Sequence, residues 1–252
     1  LVAAGVGKIG IVDHDRIAIS NLQRQVLFDS TKIGEFKARV AADKLRLLNP
    51  LVNIQEYLLY LSTENAIELI EGYDIIIDCT DNFSTRYMLS DICMLLDKPL
   101  VFGAIFEYEG QISVFNVSDD KKNKTTYRDL FPDPPNPIDT PDCNENGVLG
   151  VLPGLIGVLQ ATEAIKLLSG VGECLVNKLM IMNVRDNRTI VVDIAPAHKT
   201  DIISPKSLAE FEDFDYEFHC GLKSNTIQSI SQQEFDSVDD SQDILILDVR
   251  NW

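Results

Sequence analysis

The chain has 252 residues, 45% of them hydrophobic and 24% charged, enough apolar material to bury one large core or two smaller ones rather than stay disordered. A formal net charge of -17 repels a phosphate backbone, so no direct nucleic-acid contact is expected, and any phosphate site has to be built from a few local basic side chains. Five scattered cysteines argue against a disulfide framework, and no apolar run is long enough to cross a bilayer; the expectation is a cytoplasmic protein with reduced thiols and no membrane contact.

In chain order, residues 1–4 read as the last turn of a helix, Gly5 as its stop and residues 9–12 as a buried strand, so that an earlier strand and most of a helix are expected upstream. Residues 37–48 place Ala38, Ala41, Ala42, Leu45 and Leu48 on one helical face, ended by Asn49-Pro50. A strand over 52–57, a helix from Ser62 or Thr63 to Ile70 closed by Gly72, an apolar strand over 74–79, a helix over 84–96 and a strand over 100–104 follow. This alternation predicts an α/β fold with a doubly wound, Rossmann-like sheet. Ile112, Val114 and Val117 suggest a further strand, residues 118–142 a long mobile loop, 154–168 a helix, and 178–183 with 189–193 a hairpin about Asp186-Asn187. The division expected is an N-terminally incomplete domain over 1–195, a linker over 196–226 and the truncated start of a second domain over 227–252.

The polar residues fall at the ends of these strands. Asp13 follows the first of them, where an acidic group can grasp a ribose hydroxyl pair. Arg24 and Lys37 offer positive charge to a triphosphate, or else form a solvated surface pair. Asp81 and Asn82 follow the strand over 74–79; a carboxylate there either holds Mg²⁺ against phosphate oxygens or caps the next helix.

The strings Gly10-Ile11-Val12-Asp13-His14-Asp15, Ser20 to Gln25, Cys79-Thr80-Asp81-Asn82 and Glu109-Gly110-Gln111, then Cys143 followed by Gly147-Val148-Leu149-Gly150, occur in the order that resembles the MoeB/ThiF family. Each string is weakly specific, but their ordered succession over residues 1–193 is strongly so. The nearest likeness is to members that join such an adenylyltransferase to a C-terminal rhodanese domain, because Tyr216 to Gly221 is similar to their linker and residues 227–250 to a rhodanese opening.

The resemblance implies ATP-dependent adenylation of the C-terminal carboxylate of a ubiquitin-like sulfur-carrier protein. Sulfur transfer to a thiocarboxylate would follow, with a cysteine desulfurase as upstream donor, for tRNA thiolation, molybdenum cofactor biosynthesis or both. It assigns ribose binding to Asp13, the nucleotide lining to Ser20, Asn21, Leu22, Gln23 and Arg24, phosphate contact to Lys37, and the Mg²⁺-bound triphosphate to Asp81 and Asn82. Cys143 becomes the thiol that accepts the activated acyl group, a reaction that a mixed anhydride invites. A homodimer is implied as well.

The chain departs from the family at its zinc site. Two Cys-x-x-Cys pairs are expected, but Thr126 and Asp129 stand at the first pair and Ala195-Pro196-Ala197-His198 at the second, so no zinc is predicted. Lacking both ends, the fragment alone is expected to be inactive. Two other readings compete: a degenerate scaffold that still binds the carrier, motivated by the lost zinc ligands, and a nicotinamide-dependent dehydrogenase, which leaves the Ser20 to Arg24 block and Asp81-Asn82 without a role.

Overall fold

The computed structural model describes residues 1–135, 147–197 and 202–222; Cys143, His198 and the rhodanese-like stretch 227–252 lie outside the described residues. Strand β1 (Lys8–Val12) leads through two short 3₁₀ turns to helix α1 (Lys37–Leu48), then β2 (Asn53–Tyr57), α2 (Thr63–Glu71), β3 (Ile76–Asp78), α3 (Phe83–Leu95) and β4 (Leu100–Phe106). Next come β5 (Glu109–Phe115), the short α4 (Tyr127–Leu130), α5 (Leu152–Ser169), the hairpin β6 (Lys178–Asn183) and β7 (Arg188–Asp193), and two short helices, α6 (Leu208–Glu212) and α7 (Tyr216–His219).

The sheet is mixed. β1 pairs with β2 and β3 with β4 in parallel, each pair bridged by a helix as the alternating pattern requires, whereas β4 through β7 run antiparallel. Among the described residues β1 and β2 form one sheet and β3 to β7 another, rather than one continuous doubly wound sheet. Ile76 and Ile77 are accordingly half-buried, not the fully covered pair that an apolar run suggested. Tyr73, just before β3, lies against Gly10 of β1, and its hydroxyl meets that of Tyr57 at the end of β2 at 3.1 Å.

The largest core surrounds α3, whose Tyr87, Met88, Leu89, Ile92 and Cys93 pack against β4, α2 and α4. Ala38, Ala41 and Ala42 of α1 are buried as their spacing predicted, but Leu48 at its last turn is exposed. Helix α5 lies close on β4 and β5 because two strand positions lack side chains: a Cβ at Gly103 would overlap the amide of Gln160, and one at Gly110 the side chain of Ile156. Gly103→Ala or Gly110→Ala is therefore expected to destabilise the fold by about 1–3 kcal/mol through overpacking, read from the urea midpoint.

Two stretches are more ordered than their sequence suggested. Within the expected mobile loop, Thr125, Tyr127 and Arg128 are buried; Tyr127 packs at 5.1 Å from Tyr87 and 5.3 Å from Phe102, and Thr125 donates to Asn177. Polarity and missing periodicity suggested mobility there, yet an aromatic anchor, Tyr127, ties the segment into the core around α3. Within the stretch read as linker, Phe211, Tyr216 and Cys220 join the core around α3.

Candidate functional site

The first group of predicted residues gathers where β1 ends. Asp13 is half-buried and accepts the Asp15 amide at 2.8 Å. Burial raises its carboxyl above the ordinary value, against the Asp15 amide and the charge of Lys37. Lys37, the first residue of α1, is 9% exposed, and its Nζ meets Asp15 Oδ2 at 2.8 Å. It is not the solvated surface lysine of the competing reading, and the hydrogen bond it donates lowers the Asp15 carboxyl. Asp15 was not singled out from sequence; its signal is the Asp-His-Asp spacing, which sets a second carboxylate opposite the start of α1.

The block from Ser20 to Gln25 begins in a 3₁₀ turn over Ile19–Asn21 and continues as turns with tight local bonding. Asn21 accepts the Ala18 amide at 3.1 Å, and Arg24 Nη1 donates to the Ser20 carbonyl at 3.2 Å, leaving most of the guanidinium donors without an acceptor among the described residues. Gln23 abuts Gly150, where an added Cβ would overlap its carbonyl oxygen, so the glycine of the Gly147 to Gly150 string is needed for backbone approach. That contact ties the turn to the segment leading into α5.

The second group sits at the end of β3. Asp78 is fully buried, and its Oδ1 accepts both the amide and the hydroxyl of Thr80, at 2.8 and 2.6 Å. Arg86 of α3 donates from Nε to Asp78 Oδ2 at 3.2 Å and from Nη2 to the Thr80 carbonyl at 2.7 Å. Gln160 of α5 adds a bond to the Asp78 carbonyl at 2.7 Å. A buried arginine thus fixes the loop from Cys79 to Asn82 from within, a role invisible without the fold, although the spacing of Asp78 and Arg86 places the two groups across one helical entry.

Asn82, not Asp81, caps α3: its Oδ1 accepts the Thr85 amide at 2.9 Å and the Ser84 hydroxyl at 3.0 Å. The capping alternative for Asp81 is thereby removed, because its carboxylate is exposed and makes no hydrogen bond or ion pair among the described residues. Asp81 and Asn82 likewise share no such bond with Asp13, Arg24 or Lys37. Each group stands at the carboxyl end of a parallel strand, the position at which open α/β sheets bind ligands.

A family model, ThiF family, matches residues 1–202. The sulfur carrier protein adenylyltransferase of Thermus thermophilus is 42% identical over 224 residues, which cover 88% of this chain and 82% of that protein. The probable adenylyltransferase/sulfurtransferase MoeZ of Mycobacterium tuberculosis is 39% identical over 260 residues, covering 100% of this chain and 64% of its own length. For the adenylyltransferase and sulfurtransferase MOCS3 of Arabidopsis thaliana the figures are 42% over 221 residues, 86% and 47%. The chain therefore spans less than two thirds of these last two relatives. Among solved structures, Escherichia coli MccB with ATP shares the fold at a TM-score of 0.65 and 17% identity, over 81% of this chain and 61% of that one.

Proposed function

The chain belongs to the ThiF family, and from that premise we propose that it carries the adenylation site of an enzyme that activates the C-terminal carboxylate of a ubiquitin-like sulfur-carrier protein. The carrier carboxylate attacks the α-phosphorus of ATP; the bond to the β-phosphate oxygen breaks, and acyl-adenylate and pyrophosphate leave. The observation that carries this reading is Asp81: an exposed carboxylate with no hydrogen bond or ion pair among the described residues, held at a strand end by the brace of Asp78, Arg86 and Thr80.

An exposed carboxylate suits Mg²⁺, which is bound through oxygen and neutralises phosphate charge when present. Arg24 presents unused donors to phosphate oxygens in a bidentate fork. Lys37 supports the same region as a desolvated charge shared with Asp15, and Asp13 accepts from the ribose hydroxyls. The side-chain oxygen of Asn82 is engaged with α3, which leaves its amide group for the nucleotide. Cys143 takes the acyl group as a thioester and releases AMP before sulfur is delivered, with a cysteine desulfurase as the source, in the cytoplasm and for either or both sulfur pathways.

The names of the Thermus, Mycobacterium and Arabidopsis relatives support adenylation joined to sulfur chemistry. No helix among the described residues is long and apolar enough to cross a membrane. Val151, Leu155, Val158, Ile165 and Leu168 leave one face of α5 apolar and exposed; a second copy of the chain covers it in a homodimer.

The experiment is carrier-dependent ATP–pyrophosphate exchange by the full-length gene product. Exchange that requires the carrier is expected, and its absence in a folded preparation would overturn the proposal. Cys143→Ala is expected to leave exchange intact and to suppress only thiocarboxylate formation, measured by the mass of the carrier.

A further inference from the structure

Where the family resemblance implies a tetrahedral zinc, the residues present do not fit one. Zinc in a structural site takes four sulfur or nitrogen donors, with carboxylate oxygen a minor choice. The candidate positions here are Thr126 and Asp129 for the first pair and Ala195-Pro196-Ala197-His198 for the second, which offer no thiol and a single imidazole, short of the four donors a tetrahedral site takes. The one carboxylate is already engaged: Asp129 Oδ2 accepts the Thr126 amide at 2.6 Å and the Thr126 hydroxyl at 2.9 Å, and Oδ1 accepts the Ala197 amide at 2.8 Å. Among the described residues the only trio of His, Cys, Asp or Glu side chains close enough to share an ion is Asp13, His14 and Asp15, which belongs to the end of β1.

We propose that Asp129 is a metal-free clip that joins the start of α4 to the chain leaving β7, the same two segments that the paired cysteines of the resemblance would join through zinc. The carboxylate serves both sides at once: one oxygen closes the capping box of α4, the other reaches the exit of the hairpin. Charge-assisted bonds of this kind are about twice as strong as neutral ones, and three of them converge on one side chain.

The neighbouring residue extends the arrangement in the opposite direction. Arg128 forks onto Asp91 of α3, with Nε to Oδ1 at 2.7 Å and Nη2 to Oδ2 at 2.8 Å, and Tyr216 of α7 donates to the same carboxylate at 2.8 Å. Its third nitrogen meets His219 Nε2 at 3.1 Å. A guanidinium only donates, so Nε2 accepts this bond, and burial and the adjacent Arg128 charge hold His219 below its usual value. A single turn of helix thereby fastens two later segments: Asp129 the chain after β7, Arg128 the segment carrying α7. The clip is independent of the adenylation reading.

The test uses the intact chain produced in zinc-supplemented cells. Metal content far below one zinc per chain and a melting temperature unmoved by EDTA are expected; one zinc per chain, or a fall in melting temperature on chelation, would overturn the clip. Asp129→Asn gives a second measurement, because it removes the charge and turns one oxygen into a donor that cannot serve the amide it faces. Amide exchange at Thr126 and Ala197 is expected to accelerate about tenfold or more while β1 is unaffected. Unchanged exchange at both positions would show that Asp129 holds nothing together.

Discussion

Asp81→Ala is expected to lower carrier-dependent ATP–pyrophosphate exchange by on the order of a hundredfold or more, the scale at which single preorganised electrostatic groups act. The melting temperature should not move, because the Asp81 carboxylate is exposed and makes no hydrogen bond or ion pair among the described residues, so its loss unbinds nothing. Separation of the two effects is the point of the measurement. If Asp81 merely shaped the start of α3, its removal would cost stability and leave exchange nearly intact; but that work falls to Asn82, whose side chain accepts from Thr85. Asn82→Ala should give the converse pattern, with a stability loss of about 0.5–2 kcal/mol from the missing cap.

Asp91→Ala is expected to be the most damaging stability change away from the site. Asp91 is 2% exposed and accepts three hydrogen bonds, two from the fork of Arg128 and one from Tyr216. Truncation leaves a buried guanidinium, itself 3% exposed, without its counter-charge. Breaking a buried pair from one side costs about 3–5 kcal/mol, because the surviving charge keeps its desolvation penalty. For a chain of this size each kcal/mol moves the melting temperature by roughly 2–4 °C, so a fall of about 6–20 °C is expected by calorimetry. Replacing both partners by a fitting apolar pair, Asp91→Leu with Arg128→Met, should recover much of it, whereas a shift under about 2 °C for Asp91→Ala would show the pair to be incidental.

The parts of the fold that the sequence disclosed are those governed by short-range periodicity. The alanines of α1, the start of α2 at Thr63 and the Asp186-Asn187 turn of the hairpin each follow from spacing within one element. What stayed hidden depends on partners distant along the chain. Arg86 reads as one more polar residue of α3 until Asp78 and Thr80 are seen folded against it, and Arg128 as part of a polar loop until Asp91 and Tyr216 close around it. Gly110 is explained only by Ile156 of α5, which presses on its Cα from a helix forty-odd residues away. Polar composition over residues 118–135 and 202–222 misled for the same reason: a few anchors, Tyr127, Phe211 and Tyr216, order stretches whose average character is that of a loop.

The candidate site was legible as a list of residues and not as a geometry. Asp13 and Asp81 follow β1 and β3 and Lys37 opens α1, but Lys37 is shared with Asp15, and Asn82 is partly committed to α3. We propose that two separate loops, Ser20 to Gln25 after β1 and Cys79 to Asn82 after β3, close on one triphosphate. Amide exchange of the full-length gene product, with and without Mg²⁺-ATP, tests it most directly. Protection gained at both loops together is the predicted result; protection at one loop alone, or at neither while ATP is bound elsewhere, would contradict it.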